Sequence, residues 1–250
     1  MRIDGLRVSD GGSANGVPVV LLHGLGSDLE VWRAQLNHLR QTRRAVAYDQ
    51  RGHGQSDRAT DGIYTVDRLA EDLDKVVTRL QMNNFWLVGH SFSGAVVSTY
   101  AGRHPSKLAG ILYVDAIGDL SGAPPEVKAA FENSSREMTP EKIQAAYSRM
   151  LGPLAKETTR VEVLAEAGRL DLRAFRALTL SMAQVRAADA IARYEGPKLA
   201  IEPENEDAPA FAASRLRGVR LIRRIAGVSH WLMLDDPATF NAALDQALAQ

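Results

Sequence analysis

FWLVGHSFSGAVVS, residues 85–98, decides how the rest of the chain is read. Apolar side chains run to Val88, break at Gly89, and give way to a small-residue helix with one hydroxyl, Ser91, left at the break. A strand that ends at Gly89 and a helix that begins near Phe92 are joined only by a sharp turn, which points Ser91 out of the sheet. Gly89 and Ser93, two positions to either side, keep side chains clear of neighbouring backbone, while Gly94 and Ala95 let the helix lie close to the strand. The hydroxyl then sits at a helix N-terminus, where N–H groups and the dipole favour a developing oxyanion. That is a place for a nucleophile, although serine also serves as a plain N-cap.

Outward from this turn, short apolar runs that suit buried strands recur at 17–24, 44–49, 84–90, 109–116, 197–203 and 219–227. Helical patterns separate them. Between Arg68 and Leu80 the apolar positions Leu69, Leu73, Val76, Val77 and Leu80 make one stripe. Such alternation predicts an α/β fold with a mostly parallel central sheet flanked by helices. Residues 118–195 differ: they hold no convincing strand, open with a loop, and carry short helical patterns such as PEKIQAAYSRML and LRAFRALTLSM. We therefore expect one domain, with a core of residues 1–117 and 196–250 and a small helical lid inserted at 118–195 over the strand ends.

Bulk properties narrow the function. With 30 basic and 30 acidic side chains in 250 residues the formal net charge is zero, so nothing draws the chain to nucleic acid or an anionic membrane surface. A small-molecule partner is expected. Cysteine is absent, which removes disulfides and thiolate chemistry and fits a cytoplasmic location. No window is long and apolar enough for a membrane helix. The histidines show no metal-binding spacing, so neither a metal nor another cofactor is expected.

Four further segments bear on Ser91. His23 and Gly24 end the first strong strand, and the loop after them offers a second N–H donor, from Leu25, opposite that of Phe92. DQRGHGQSD (49–57) follows the next strand. Asp115 closes the strand AGILYVDA, and SHWLMLDDPATF (229–240) places His230 in a loop after the last strand. Through LLHGLGSD, YDQRGHGQS, LVGHSFSGA, YVDA and SHWLMLDDP the chain resembles the α/β-hydrolase superfamily, in its serine esterase-like branch. By that resemblance Ser91 is the nucleophile, His230 the general base, and the backbone of Leu25 and Phe92 the oxyanion hole. The resemblance implies a serine hydrolase that cleaves a small, fairly apolar carboxylic ester through an acyl-enzyme. The same fold also hosts lyases, lactonases, perhydrolases, C–C hydrolases and non-catalytic small-molecule receptors. Two departures stand out: Ser93 replaces the second glycine of G-x-S-x-G, and residues 1–16 hold material for only one early strand.

The third member of a Ser-His-acid set stays open. Asp115 ends the strand beside that of Ser91; Glu206, with Asp207 next to it, lies in the acidic loop after the strand PKLAIEP, the more usual origin of the acid in the superfamily. His90 faces away from Ser91 and reads as core, and Asp49, Arg51 and His53 read as struts of the RGHG loop. Trp231 and Met233, with lid residues Phe131, Met150, Leu178 and Met182, are candidates for an apolar substrate pocket.

Overall fold

The computed structural model describes residues 1–169, 171–204 and 211–250. Eight strands form one sheet: β1 (Arg2–Ile3), β2 (Leu6–Gly12), β3 (Val19–Leu22), β4 (Arg44–Tyr48), β5 (Phe85–His90), β6 (Leu108–Val114), β7 (Lys198–Pro203) and β8 (Arg220–Ile225). Their spatial order is β1-β2-β4-β3-β5-β6-β7-β8. From β4 to β8 every neighbouring pair is parallel, and only β1–β2 and β2–β4 run antiparallel. The expectation of one early strand is corrected here. Asp4 and Gly5 take φ of +46° and +82°, and this Asp-Gly turn folds Arg2–Ile3 back on β2 as a two-residue strand too short to show a pattern.

Ten helices accompany the sheet among the described residues: α1 (Arg33–Leu39), α2 (Val66–Arg79), α3 (Ser93–Arg103), α4 (Pro125–Arg136), α5 (Pro140–Leu151), α6 (Glu157–Ala167), α7 (Leu172–Met182), α8 (Ala187–Ile191), α9 (Leu232–Asp235) and α10 (Pro237–Leu248). The stripe on α2 is buried as its spacing requires, and Thr65 caps that helix by accepting from the Arg68 N–H. Alternation along β3 distributes the core between two faces. Val20 and Leu22 pack with Leu69, Leu73 and Val96 of α2 and α3, whereas Val19 and Leu21 pack with Leu36, Phe240 and Leu244 of α1 and α10.

Strand β6 lies so close to β5 that Gly110 is forced. A Cβ there would stand 2.1 Å from the Trp86 ring, and the ring is buried. Replacing Gly110 by Val is therefore expected to lower stability by about 1–3 kcal/mol through overpacking, read as a reduced urea midpoint with an unchanged slope.

Candidate active site

The carboxyl ends of β5 and β6 carry two residues in left-handed backbone conformation, Ser91 at φ +55° and Asp115 at φ +39°. Neither is glycine, and left-handed backbone is costly for side chains, so tertiary bonds must hold it. The Ser91 N–H donates to the Val114 carbonyl at 3.0 Å, and the Ser91 carbonyl accepts from Gly94 at 3.0 Å and Ile117 at 3.1 Å. Small residues make the turn possible. A Cβ on Gly89 would meet Val97 at 2.6 Å, and one on Gly94 would meet the Ile117 carbonyl at 2.4 Å.

Asp115 and His230 come together. His230 Nδ1 donates to Asp115 Oδ2 at 2.5 Å, with side chains 16% and 27% exposed. With Nδ1 carrying the proton, Nε2 keeps its lone pair. Ser91 and His230 both line two adjoining cavities. One, of about 190 Å³, has an apolar wall of Phe131, Met138, Phe175, Met182 and Trp231 and is also lined by Leu25 and Phe92. The other, of about 510 Å³, is bounded by Asp115, Arg149, Leu154 and Glu204. Glu206 and Asp207 lie outside the described residues.

The Leu25 loop is fixed from behind. His23 Nδ1 donates to the Gly24 carbonyl at 2.7 Å, and the Ser27 N–H donates to the same oxygen at 3.3 Å. Because the peptide is trans, the Leu25 N–H points the opposite way. Neither it nor the Phe92 N–H has a protein acceptor among the described residues. The loop also rests on the turn at Ser91, for a Cβ on Gly24 would lie 3.2 Å from Ser91 Cβ.

Residues 19–243 match the Alpha/beta hydrolase family. The chain belongs to that family. The protein of Caulobacter vibrioides provisionally named carbamate hydrolase RutD is 30% identical over 261 residues, covering 97% of this chain and 94% of its own. Among solved structures, a thermophilic esterase from Thermogutta terrifontis superposes with a TM-score of 0.81 at 23% identity, over 98% of this chain and 93% of the esterase. The enol-lactonase of Burkholderia xenovorans LB400 gives 0.81 at 20% identity, over 99% and 98%.

Several members of this alpha/beta hydrolase's site carry no signal in the sequence. His90 is buried, yet its Nε2 donates to the His230 carbonyl at 2.9 Å and its ring lies 4.6 Å from that of His230, so it shapes the histidine loop rather than only filling core. Ser93 is tolerated in place of glycine because it adopts helical backbone, and its hydroxyl donates to the His23 carbonyl at 2.5 Å. Gln50 joins the same knot through Nε2, 3.0 Å from Ser93 Oγ and 2.8 Å from the His23 carbonyl. The RGHG loop is strutted as expected: Asp49 accepts from Leu29 and Gln55, and Arg51 pairs with Asp72. Two pocket candidates are corrected. Met233 is fully buried against the α1 and α10 face, because it follows Trp231 by two positions on a helical turn and points away from the cavity; Leu178 is likewise core. Among the described residues no three His, Asp or Glu side chains gather as a metal cluster, and no helix is long and apolar enough to cross a membrane.

Burial holds three of these imidazoles neutral. It lowers His23 to about 4 and His53 to about 3, and with help from His230 it puts His90 well below the usual range. The unfolded chain takes up these protons below about pH 6.5 and the folded chain does not, so stability present above that pH is lost as pH falls. Three such groups give a slope of up to about 4 kcal/mol per pH unit. Unfolding curves at pH 7, 6 and 5 are expected to show a progressive fall in Tm; an unchanged Tm would exclude neutral burial of these rings.

Proposed function

We propose that this alpha/beta hydrolase cleaves small, fairly apolar carboxylic esters through an acyl-enzyme, with Ser91 as nucleophile, His230 as general base and Asp115 as the acid that orients it. The observation that carries this reading is the His230–Asp115 hydrogen bond, whose two residues line a cavity together with Ser91. A serine hydroxyl is a weak nucleophile at neutral pH, and the lone pair left on His230 Nε2 is the base it needs.

In this mechanism Ser91 Oγ gives its proton to His230 and attacks the acyl carbon. The Leu25 and Phe92 N–H groups hold the resulting oxyanion, each worth on the order of 3 kcal/mol in the transition state. His230 returns the proton to the departing alkoxide, and water, deprotonated by the same imidazole, releases the acid. The narrow apolar cavity suits the acyl part, which stays attached through both steps. The wider cavity, with Arg149 and Glu204 at its wall, suits a more polar leaving group and the incoming water. Helices α4, α5 and α7 wall the acyl side, the position of a lid. The relatives' substrate classes fit this chemistry, since carbamates, esters and enol lactones all present an acyl carbon with a heteroatom leaving group.

Wild type and Ser91→Ala are compared on short p-nitrophenyl esters, where the variant is expected to fall to background and equal turnover would refute the nucleophile. Asp115→Asn keeps the shape but reverses the favoured tautomer of His230, and a loss of about ten-thousandfold in kcat is expected. Glu206→Gln is expected to leave kcat within a small factor; the opposite ranking would move the acid to the later loop.

A further inference from the structure

The loop that carries Leu25 is tied to the helical segment at two points. Tyr147 of α5 donates to the Leu25 carbonyl. Ser27 Oγ donates to Glu166 Oε2, near the end of α6, at 2.9 Å, and both side chains are buried, at 6% and 9% exposure. Ser27 closes the same turn, since its N–H holds the Gly24 carbonyl of the peptide whose N–H is that of Leu25. Glu166 is thus one side chain and one peptide away from a proposed oxyanion donor.

Its surroundings do not suit a charge. Glu166 has no ion pair among the described residues. It borders a cavity of about 190 Å³, separate from the Ser91 cavities, whose ionisable lining is Asp28, His53, Arg58, Arg169 and Asp171. The cations there are in part committed, for Arg58 pairs with Asp171 at 3.4 Å. On its own helix Glu162 lies one turn back and is held by both guanidinium nitrogens of Arg33. His53 is neutral. Burial pushes the Glu166 carboxyl up to about 8, Asp28 and Glu162 add to the rise, and the Ser27 bond and Arg169 oppose it.

We propose that uncharged Glu166 is a positioning residue for the Leu25 loop, and that loss of its proton to solvent loosens α6 from this loop and lowers turnover. The proposal rests on the reading of Leu25 as an oxyanion donor. A carboxylate formed at this junction faces Asp28 across that cavity, and its available relief is the cavity's water and the Arg169 guanidinium, which has no ion pair among the described residues. Turning toward them takes the carboxylate off the Ser27 hydroxyl and frees the loop from α6. The Leu25 N–H then loses its fixed direction, which weakens transition-state binding more than substrate binding, so kcat falls while KM holds.

The test is the pH dependence of p-nitrophenyl ester hydrolysis between pH 6.5 and 9.5 in wild type, Glu166→Gln and Ser27→Ala. Wild-type kcat is expected to fall above about pH 8, approaching tenfold per pH unit, with KM steady. Glu166→Gln, uncharged at every pH, is expected to lack this alkaline limb. Ser27→Ala cuts the link between Glu166 and the loop at every pH, so its kcat is expected to be reduced throughout and to lack this limb. A limb of the same midpoint in wild type and Glu166→Gln, or a flat wild-type profile, overturns the proposal. Thermal unfolding supplies a readout independent of activity. The folded chain keeps the Glu166 proton up to about pH 8 and the unfolded chain does not, so above about pH 7, where the unfolded chain's histidines no longer take up protons, stability falls as pH rises to about 8 and then levels. That decline is expected in wild type and absent in Glu166→Gln, and equal declines count against the proposal. If Ser91→Ala is fully active, the functional reading fails on its own assay while the unfolding comparison still reports on Glu166.

Discussion

The site depends on a register constraint. Strands β5 and β6 are parallel neighbours with His90 opposite Val114, so the next residues, Ser91 and Asp115, leave the sheet side by side. Both then turn through left-handed backbone. Each such residue costs on the order of 1–3 kcal/mol, and the bonds from Ser91 to Val114 and Ile117 offset it by lacing one strand end to the other. The strain is shared across two adjacent corners that stiffen each other. Any change that lets β6 slip by one residue would turn Asp115 away from His230 and undo the constellation without touching either side chain.

Much of this was legible in the sequence because the decisive features are local. The turn at Ser91 is written in the small residues Gly89, Ser93, Gly94 and Ala95 around one hydroxyl, and alternating strands and helices in runs long enough to show their period. The early hairpin was missed because β1 has two residues, too few for any pattern, although the Asp4-Gly5 dipeptide was a turn signal in plain view. The acid stayed open for a different reason. Asp115 and Glu206 both follow strand ends, and only packing shows which carboxylate meets an imidazole 115 residues later. His90 illustrates the limit of reasoning from neighbours: an alternation that reads it as core cannot show that its ring holds the His230 carbonyl.

Behind the reacting groups lies a second layer that sequence reasoning could not assemble, because its bonds join residues from three strand ends. His23, Gln50 and Ser93 share hydrogen bonds through the His23 carbonyl, and burial keeps the imidazole neutral with Nδ1 as donor and Nε2 as acceptor from the Gln50 N–H. A charged His23 could not accept that bond. The layer works because every member holds one fixed protonation state.

Ser93 gives this layer an unexpected office. Its hydroxyl spans from the corner that bears Phe92 to the segment that bears Leu25, so the two amides of the proposed oxyanion hole are braced as a single jaw. A glycine at that position would supply no such crossbar. This chain has traded backbone freedom at the corner for a permanent spacing between the jaw's two halves.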